Sequence, residues 1–311
     1  MVRVGIIGVG GIAQNVHIPQ LKECADAEIT AICDIDEKAL KKVGDDLGID
    51  EKYRFKDYKD LIACTEVDAV EVCTPNYLHV KMAADAARAG KSINVEKPLS
   101  VSLADTKELT DAIKDTNVVN MMCMSYRFRP AVRFAKWIME NNLIGDIISI
   151  NVEYLKSSAF MEGRRLDWRF VKEYAGTGVL GDLGVHLIDL ATFLAGDLKK
   201  VSAQTKIVVK KRKKLDSEEY APVETDDYCS FIGEMKSGAV ANFMITRCAI
   251  GNVNTIKFDV YATKGVISFN LNNPEVLGVC IGEVDVKDGV KLQGVLDAIC
   301  KSAEEEKWVE L

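Results

Sequence analysis

Short apolar runs and amphipathic segments alternate along the first 124 residues of the chain. Apolar runs typical of buried strands lie at 3–7, 28–33, 69–73, 92–95 and 118–124. Segments with helical spacing of their apolar residues lie between and after them, at 12–24, 37–47, 57–64, 78–89 and 102–115. This alternation of strand and helix predicts a doubly wound parallel sheet.

The pattern changes near residue 125. One more helical segment, 131–141, is followed by long alternating strands, with hairpin turns at 236–238 and 263–265. We therefore predict an α/β chain with an N-terminal Rossmann domain (1–124) and a C-terminal α+β domain (125–311) whose sheet is mostly antiparallel. No linker rich in Gly or Ser separates the two, so we expect them to pack directly and to enclose a substrate cleft.

The first strand leads straight into a glycine-rich turn that opens a helix. In this context, Gly8-x-Gly10-x-x-Ala13 is a dinucleotide-binding fingerprint. Gly8 permits the tight turn, Gly10 lets the backbone approach a pyrophosphate, and Ala13 allows close packing of helix on strand. The free N–H groups of the helix would bind the phosphates. We assign the cofactor to the turn residues Gly8, Gly10, Gly11, Ile12 and Ala13.

Asp34 ends the second strand, where a carboxylate can accept hydrogen bonds from ribose hydroxyls and would repel a 2′-phosphate. No arginine follows it, so the sequence favours NAD over NADP. Asp34 could also serve as the N-cap of the next helix, and the two roles are compatible.

Composition narrows the class of protein. The 311 residues are 48% hydrophobic, enough for two domains, and the net charge of −7 with a pI near 5.3 disfavours a nucleic-acid partner. The basic cluster 210–214 is followed by acidic residues and is interpreted as a solvated loop. No apolar run approaches the length of a membrane span, and the first strand leaves no room for a signal peptide. Nine cysteines without a C-x-x-C motif indicate reduced core thiols in a cytoplasmic protein, with no metal site.

Two segments carry candidate catalytic groups. A strand ends in Glu96-Lys97-Pro98, and a lysine at the end of a parallel strand can reach the cofactor crevice, although most lysines are solvated. Asp182, His186 and Asp189 share one predicted helix face, so Asp182 could fix the tautomer of His186, which would act as a base. Asp182 could instead cap the helix, and His186 could be a packed core residue.

Further candidates follow from position. Thr74, Pro75 and Asn76 lie at the tip of a strand and could contact ribose or nicotinamide, or simply form a turn. His79, which follows them, and Glu96 are assigned to the cofactor as well. The residues that suit a polyol or acid pocket, unless they lie on the surface, are Tyr126, Arg127, Trp168 and Arg169.

In combination, these motifs resemble the glucose-fructose oxidoreductase, inositol dehydrogenase and MocA (Gfo/Idh/MocA) family. The resemblance is carried by four segments: the glycine turn with His17-x-Pro19-x-Leu21, then Thr74-Pro75-Asn76, Glu96-Lys97-Pro98 and Asp182-x-Gly184-x-His186-x-x-Asp189. It implies that Lys97 contacts substrate and nicotinamide, that His186 is the general base, and that Asp182 hydrogen-bonds His186 or the substrate. It also implies a homodimer or homotetramer formed through the second domain.

The resemblance implies an NAD-dependent oxidoreductase that moves hydride between nicotinamide and a secondary alcohol of a sugar, polyol or cyclitol. Two alternatives stay open at this point: a redox-neutral hydrolase or epimerase that retains its NAD, and a non-catalytic cofactor-sensing protein. One departure from the family pattern is the short stretch between the last strands and the final helix, at 279–290, which concerns the pocket rim and the subunit contacts.

Overall fold

The computed structural model describes residues 1–282, 286–305 and 307. Its first sheet has six parallel strands in the order β3-β2-β1-β4-β5-β6. The strands are β1 (Val2–Ile7), β2 (Ala27–Cys33), β3 (Arg54–Phe55), β4 (Ala69–Val72), β5 (Ser92–Val95) and β6 (Asn120–Met122). Strand order reverses between β1 and β4, and a ligand crevice opens at such a switch point.

Five α-helices belong to this sheet. They are α1 (Ile18–Glu23), which continues a π-helical turn (Ala13–His17), α2 (Glu37–Leu47), α3 (Tyr58–Ala63), α4 (Asn76–Arg88) and α5 (Thr106–Thr116). Buried Val, Ile, Leu and Ala side chains from the strands and helices form two cores on this sheet. The predicted parallel α/β arrangement is therefore confirmed. Strand β3 was not predicted, because two residues carry no periodic pattern.

The second sheet has seven strands in the order β15-β14-β13-β7-β12-β11-β8. They are β7 (Ile147–Leu155), β8 (Leu198–Lys206), β11 (Tyr228–Met235), β12 (Val240–Thr246), β13 (Thr255–Ala262), β14 (Gly265–Asn270) and β15 (Leu277–Ile281). Only the β7–β12 pair is parallel within the described residues, so the sheet is mostly antiparallel, as predicted. The turns at 236–238 and 263–265 lie in hairpins, also as predicted.

Helices cover one face of this sheet. They are α6 (Pro130–Glu140) and α8 (Val185–Ala195). The short α7 (Lys172–Ala175) contacts α4 instead, and α9 (Val286–Glu305) follows the last strand. Leu187, Leu190 and Leu194 of α8 pack into the same core as Val152 of β7 and Phe258 of β13. The predicted connection before the final helix includes 283–285, which lie outside the described residues.

The segment Lys172–Ala195 contains an apolar window that is long enough to cross a membrane, with a mean hydropathy of 1.5, but 56% of that window is buried inside the protein, as in a core helix. One expectation from composition needs correction. The basic cluster is not a plain solvated loop, because it forms β9 (Lys211–Lys213), which pairs with β10 (Tyr220–Pro222). Within it Arg212 is 5% exposed and donates to the backbone oxygen of Ala159 at 2.8 Å.

The cysteines are free thiols with differing surroundings. Cys33, Cys73 and Cys229 are buried core residues, as expected for reduced thiols in an apolar core. Three others are exposed, namely Cys24, Cys280 and Cys300. The expectation of core thiols therefore applies to part of the set only.

Candidate active site

The glycine turn leaves open space beside it. Gly8 has a φ of +90°, and a Cβ there would lie 2.8 Å from the backbone oxygen of Cys73, so glycine is required. A Cβ on Gly10 would meet no protein atom within 4 Å, because Gly10 faces a cavity of about 670 Å³. The backbone of this turn can therefore approach a ligand closely.

Asp34 is held at the rim of that cavity. One carboxylate oxygen accepts from the backbone N–H of Val9 at 2.8 Å and the other from that of Asp36 at 2.9 Å. The N-cap of α2 is Asp36, whose carboxylate accepts from the N–H groups of Lys38 and Ala39. The alternative in which Asp34 caps the helix is therefore wrong.

A second cavity, of about 860 Å³, adjoins the first. Ile12, Thr74, Trp168 and Arg169 line both, so the two cavities are neighbours along one groove. The residues of the second cavity that carry candidate chemistry are Lys97, Asp182, His186, Tyr126, Tyr154 and Lys156. The groove can thus accommodate a dinucleotide at the glycine turn and a small polar molecule beside it.

Lys97 and Asp182 meet across the groove, although 85 residues separate them in the chain. The Lys97 Nζ donates to the Asp182 Oδ1 and to the Asp182 backbone oxygen, both at 3.0 Å. Asp226 supports the helical turn that carries Asp182, since its carboxylate accepts from the N–H groups of Gly178 at 2.7 Å and Leu180 at 2.9 Å. Asp182 itself caps no helix.

Charge and burial set the ionisation states of the site. Burial disfavours the Asp182 carboxylate, but the positive charges of Lys97, Arg247 and Arg169 outweigh it and hold the pKa of Asp182 below its usual range. His186 is 8% exposed, and burial, assisted by the Lys97 charge, lowers its pKa to about 3. His186 is therefore a neutral imidazole at pH 7.

His186 does not bond to Asp182 in the described structure. Its Nδ1 is buried without a hydrogen-bond partner, and the rings of Tyr126 and Tyr154 pack against it with centroids at 4.9 and 6.2 Å. The expected Asp182–His186 contact is absent because Asp182 lies in a π-helical turn (Leu180–Gly184), whose wider turn no longer stacks residues four apart. The imidazole is left available to a ligand.

Two predicted site residues, Arg127 and His79, serve the scaffold instead. Arg127 does not line either cavity; its guanidinium pairs with the buried Asp189 through two hydrogen bonds. Asp189, which shares the predicted helix face of Asp182 and His186, is thereby committed to the scaffold as well. His79 is fully buried, and its ring nitrogens lie 2.8 Å from the Pro98 oxygen and 2.7 Å from the Thr74 oxygen, so it cannot contact a cofactor.

The other predicted residues lie along the groove. Thr74 and Pro75 line the first cavity, and the buried Thr74 Oγ1 has no hydrogen-bond partner among the described residues, which leaves it free for a ligand. Asn76 lines the second cavity and donates to the Ala175 backbone oxygen at 3.0 Å. Glu96 accepts from the Lys97 N–H at 3.0 Å. The remaining cavity residues of the set are Tyr126, Trp168 and Arg169.

Sequence reasoning missed several residues of the second cavity. Lys156 is a half-buried lysine whose pKa is lowered, chiefly by loss of solvation. Tyr154 donates to Asn254 at 2.8 Å, and both line the cavity. None of these residues lies in a motif, and the only signal was a polar group beside the end of a buried strand.

Family models match both parts of the chain. The model described as an oxidoreductase family with an NAD-binding Rossmann fold matches residues 2–124, and the Gfo/Idh/MocA C-terminal domain model matches 132–268. The chain belongs to the Gfo/Idh/MocA family. As a member, it is an NAD-binding oxidoreductase, which confirms the predicted family, fold class and cofactor.

Curated relatives agree with this assignment. Levoglucosan dehydrogenase of Pseudarthrobacter phenanthrenivorans is 34% identical over 260 residues, covering 78% of this family member and 67% of the relative. Glucose-6-phosphate 3-dehydrogenase of Bacillus subtilis is 29% identical, covering 89% and 76%. Myo-inositol 2-dehydrogenase of Thermotoga maritima is 29% identical, covering 85% and 74%. All three relatives are named as dehydrogenases of sugars or a cyclitol.

A solved structure is similar over nearly the whole chain. Levoglucosan dehydrogenase in complex with NADH and L-sorbose superposes with a TM-score of 0.84 at 30% identity, covering 92% of this chain and 78% of that one. That structure holds a nicotinamide cofactor and a sugar together, which are the two kinds of ligand that the adjoining cavities can accommodate.

Proposed function

We propose that this Gfo/Idh/MocA oxidoreductase oxidises a secondary alcohol of a sugar, polyol or cyclitol with NAD. The observation that carries the proposal is that Lys97, Asp182 and His186 line one cavity, which adjoins the cavity of the glycine turn. A hydride donor and a hydride acceptor must lie in contact, and two neighbouring cavities permit this. The named activities of the relatives support the same substrate class.

Each of the three residues has a distinct role in this proposal. The Lys97 ammonium donates a hydrogen bond to the reacting hydroxyl and stabilises the negative charge that develops on its oxygen. The neutral His186 accepts the hydroxyl proton. Asp182 fixes the position and charge of Lys97 through the contact at 3.0 Å, which makes it a positioning residue for the lysine. Bound NAD would supply the hydride acceptor at C4 of its nicotinamide.

We assign the cofactor to the glycine turn, with Asp34 at the adenosine ribose and Thr74 nearer the nicotinamide. The free Thr74 Oγ1 and the fixed Asp34 carboxylate support this orientation. We assign the sugar to the cavity side of Tyr126, Trp168 and Arg169. Arg127 and His79 are left out of both sets because they are committed to the scaffold.

Steady-state kinetics test the roles. Purified protein is assayed with NAD and a panel that includes levoglucosan, glucose 6-phosphate, myo-inositol and free sugars. We expect His186→Ala and Lys97→Met each to lower kcat/KM by at least ~10²-fold, the low end for loss of an acid–base group. Lys81→Met is the matched control, because Lys81 is an exposed lysine whose ion pair in the described part of the chain is with Asp85.

Unchanged turnover in both His186→Ala and Lys97→Met would contradict the assignment. The panel also separates the two alternative activities. Product without free NADH would indicate a redox-neutral reaction, and tight NAD binding without turnover would indicate a cofactor sensor.

We further propose a cytoplasmic homodimer or homotetramer with domains at 1–124 and 125–311, independent of nucleic acid and membranes. The outer face of the seven-stranded sheet supports self-association, because Ile232, Val240 and Tyr261 project from it and are 57%, 48% and 42% exposed. Sedimentation equilibrium tests this. A particle of 34.3 kDa, the mass of one chain, would contradict the oligomer.

A further inference from the structure

One face of the parallel sheet carries polar side chains where apolar ones are expected. Val70 and Val72 of β4 and Ile93 of β5 point into the apolar core between sheet and helices. The alternate positions hold Glu71 and Asn94, which are direct partners across the two strands. Strands of a parallel sheet usually read as continuous apolar runs, since both faces are buried. The polar residues at alternate positions therefore indicate that this face of the sheet has a role other than packing against an apolar core.

A histidine and a cysteine join these residues. His17, from the π-helical turn after β1, places its Nδ1 3.1 Å from the Glu71 Oε2. Cys123, which follows β6, completes a group in which one atom each of His17, Glu71 and Cys123 lies within 4.8 Å of the other two. The Glu71 and His17 side chains are 12% and 10% exposed, and all three residues line the 860 Å³ cavity. The group is nearly buried but open to entry from one side.

We propose that His17, Glu71 and Cys123 bind a divalent cation of the zinc type. An imidazole nitrogen, a carboxylate oxygen and a thiolate sulfur are the ligands that Zn²⁺ takes, at about 2.0–2.3 Å, in tetrahedral sites. Ligand atoms around such an ion lie about 3–4 Å apart, so the observed spacing requires only a small contraction. Three protein ligands leave the fourth position for water or a small molecule from the cavity.

The surrounding residues are arranged as an outer shell. The other ring nitrogen of His17, Nε2, lies 2.8 Å from the Glu96 Oε1, which would fix the tautomer that presents Nδ1 to the cation. Asn94 donates to both Glu71 oxygens at 3.1 and 3.0 Å, and its own oxygen accepts from the Cys123 Sγ at 3.4 Å. One amide thus orients two of the three ligands. A carboxylate–histidine–metal arrangement of this kind is typical of metal-binding sites in proteins.

The competing interpretation is an ion pair without metal, in which a doubly protonated His17 lies between Glu71 and Glu96. It accounts for the two histidine contacts. In that interpretation Asn94 hydrogen-bonds the Glu71 carboxylate, and Cys123 is a neutral thiol that only donates to the Asn94 oxygen. The two interpretations differ in whether Cys123 becomes a thiolate bound to metal, and spectroscopy can detect that difference.

The test is cation binding by the full-length protein after treatment with a chelator. Equilibrium dialysis against Zn²⁺ measures affinity and stoichiometry, and titration with Co²⁺ reports a sulfur ligand through a thiolate-to-cobalt charge-transfer band in the near ultraviolet. We expect one cation per chain and a charge-transfer band in the unmodified protein. Cys123→Ser should abolish the band and weaken Zn²⁺ binding at least tenfold, and Glu96→Gln should weaken it about 10–100-fold, as outer-shell changes do.

Cys64→Ser is the matched control, because Cys64 has an intermediate exposure like that of Cys123 and lies in the same part of the chain, outside the group. Its band and affinity should equal those of the unmodified protein. Circular dichroism checks that each variant folds. If the Cys123→Ser variant does not fold, the Glu71→Gln variant provides the same affinity test. Absence of stoichiometric binding at submillimolar Zn²⁺, or a band that survives Cys123→Ser, would overturn the proposal. None of these measurements depends on dehydrogenase activity.

Discussion

The pairing of Arg127 with Asp189 indicates that this arginine, which lies beside the active site, stabilises the fold and does not bind substrate. Asp189 lies on α8, one turn beyond His186, and its side chain is 9% exposed. Arg127, 37% exposed, donates to both of its carboxylate oxygens and lies over the Phe193 ring at 5.2 Å. Replacing Arg127 by Met preserves most of the side-chain volume while leaving a buried carboxylate without its charge partner.

The expected cost follows from burial. Removing one partner of a buried pair costs about 3–5 kcal/mol, and the partial exposure of Arg127 places this case near 3 kcal/mol. For a chain of this size that is a fall in Tm of roughly 5 °C. Since Arg127 does not line the substrate cavity, KM for the sugar should change less than about twofold.

Thermal unfolding and steady-state kinetics on the same preparations test this expectation. Arg133→Met is the matched control, because Arg133 also lies over the Phe193 ring, at 6.0 Å, and has no carboxylate partner in the described structure. The double variant Arg127→Met with Asp189→Leu should recover at least half of the lost stability, since no charge is then left unpaired. An unchanged Tm together with a tenfold rise in KM would refute the argument and return Arg127 to the substrate site.

Two further predictions concern the cofactor and pH. The fixed Asp34 carboxylate should make the protein prefer NAD to NADP by at least ~10-fold in kcat/KM, about 1.4 kcal/mol. The double variant Asp34→Ala with Ile35→Arg should narrow or reverse this preference. Equal use of both cofactors by the unmodified protein would contradict the prediction. Because the pKa of His186 is lowered to about 3, the base stays deprotonated as pH falls through 6.5. A pH profile of kcat/KM should therefore show no acid limb near 6.5, and a limb there would contradict the lowered pKa of His186.

Local signals in the sequence were enough for much of the first domain. The helix predicted at 37–47 is observed at Glu37–Leu47, because Asp36 caps its start and Gly48, with a φ of +67°, ends it. The glycine fingerprint is local in the same sense, since a tight turn and a close ligand approach depend on adjacent residues. Strand β3 escaped prediction because its two residues are extended only by pairing with β2.

The features of the candidate site likewise fall into those that the sequence predicted and those that only the tertiary structure decided. From the sequence by itself, Lys97, Asp182 and His186 were predicted to carry the chemistry, because they lie in recognisable motifs, and that assignment stays a prediction. Only the tertiary structure decided their partners: Asp182 bonds Lys97 rather than His186, and Asp189 bonds Arg127. Spacing along one helix fixes the direction of a side chain only while the helix is regular, and a π-helical turn interrupts it here. In addition, a charged group pairs with the opposite charge that the fold brings nearest. Lys97 and Asp182 are 85 residues apart in the chain, and tertiary packing, which no local sequence pattern predicts, brings them together.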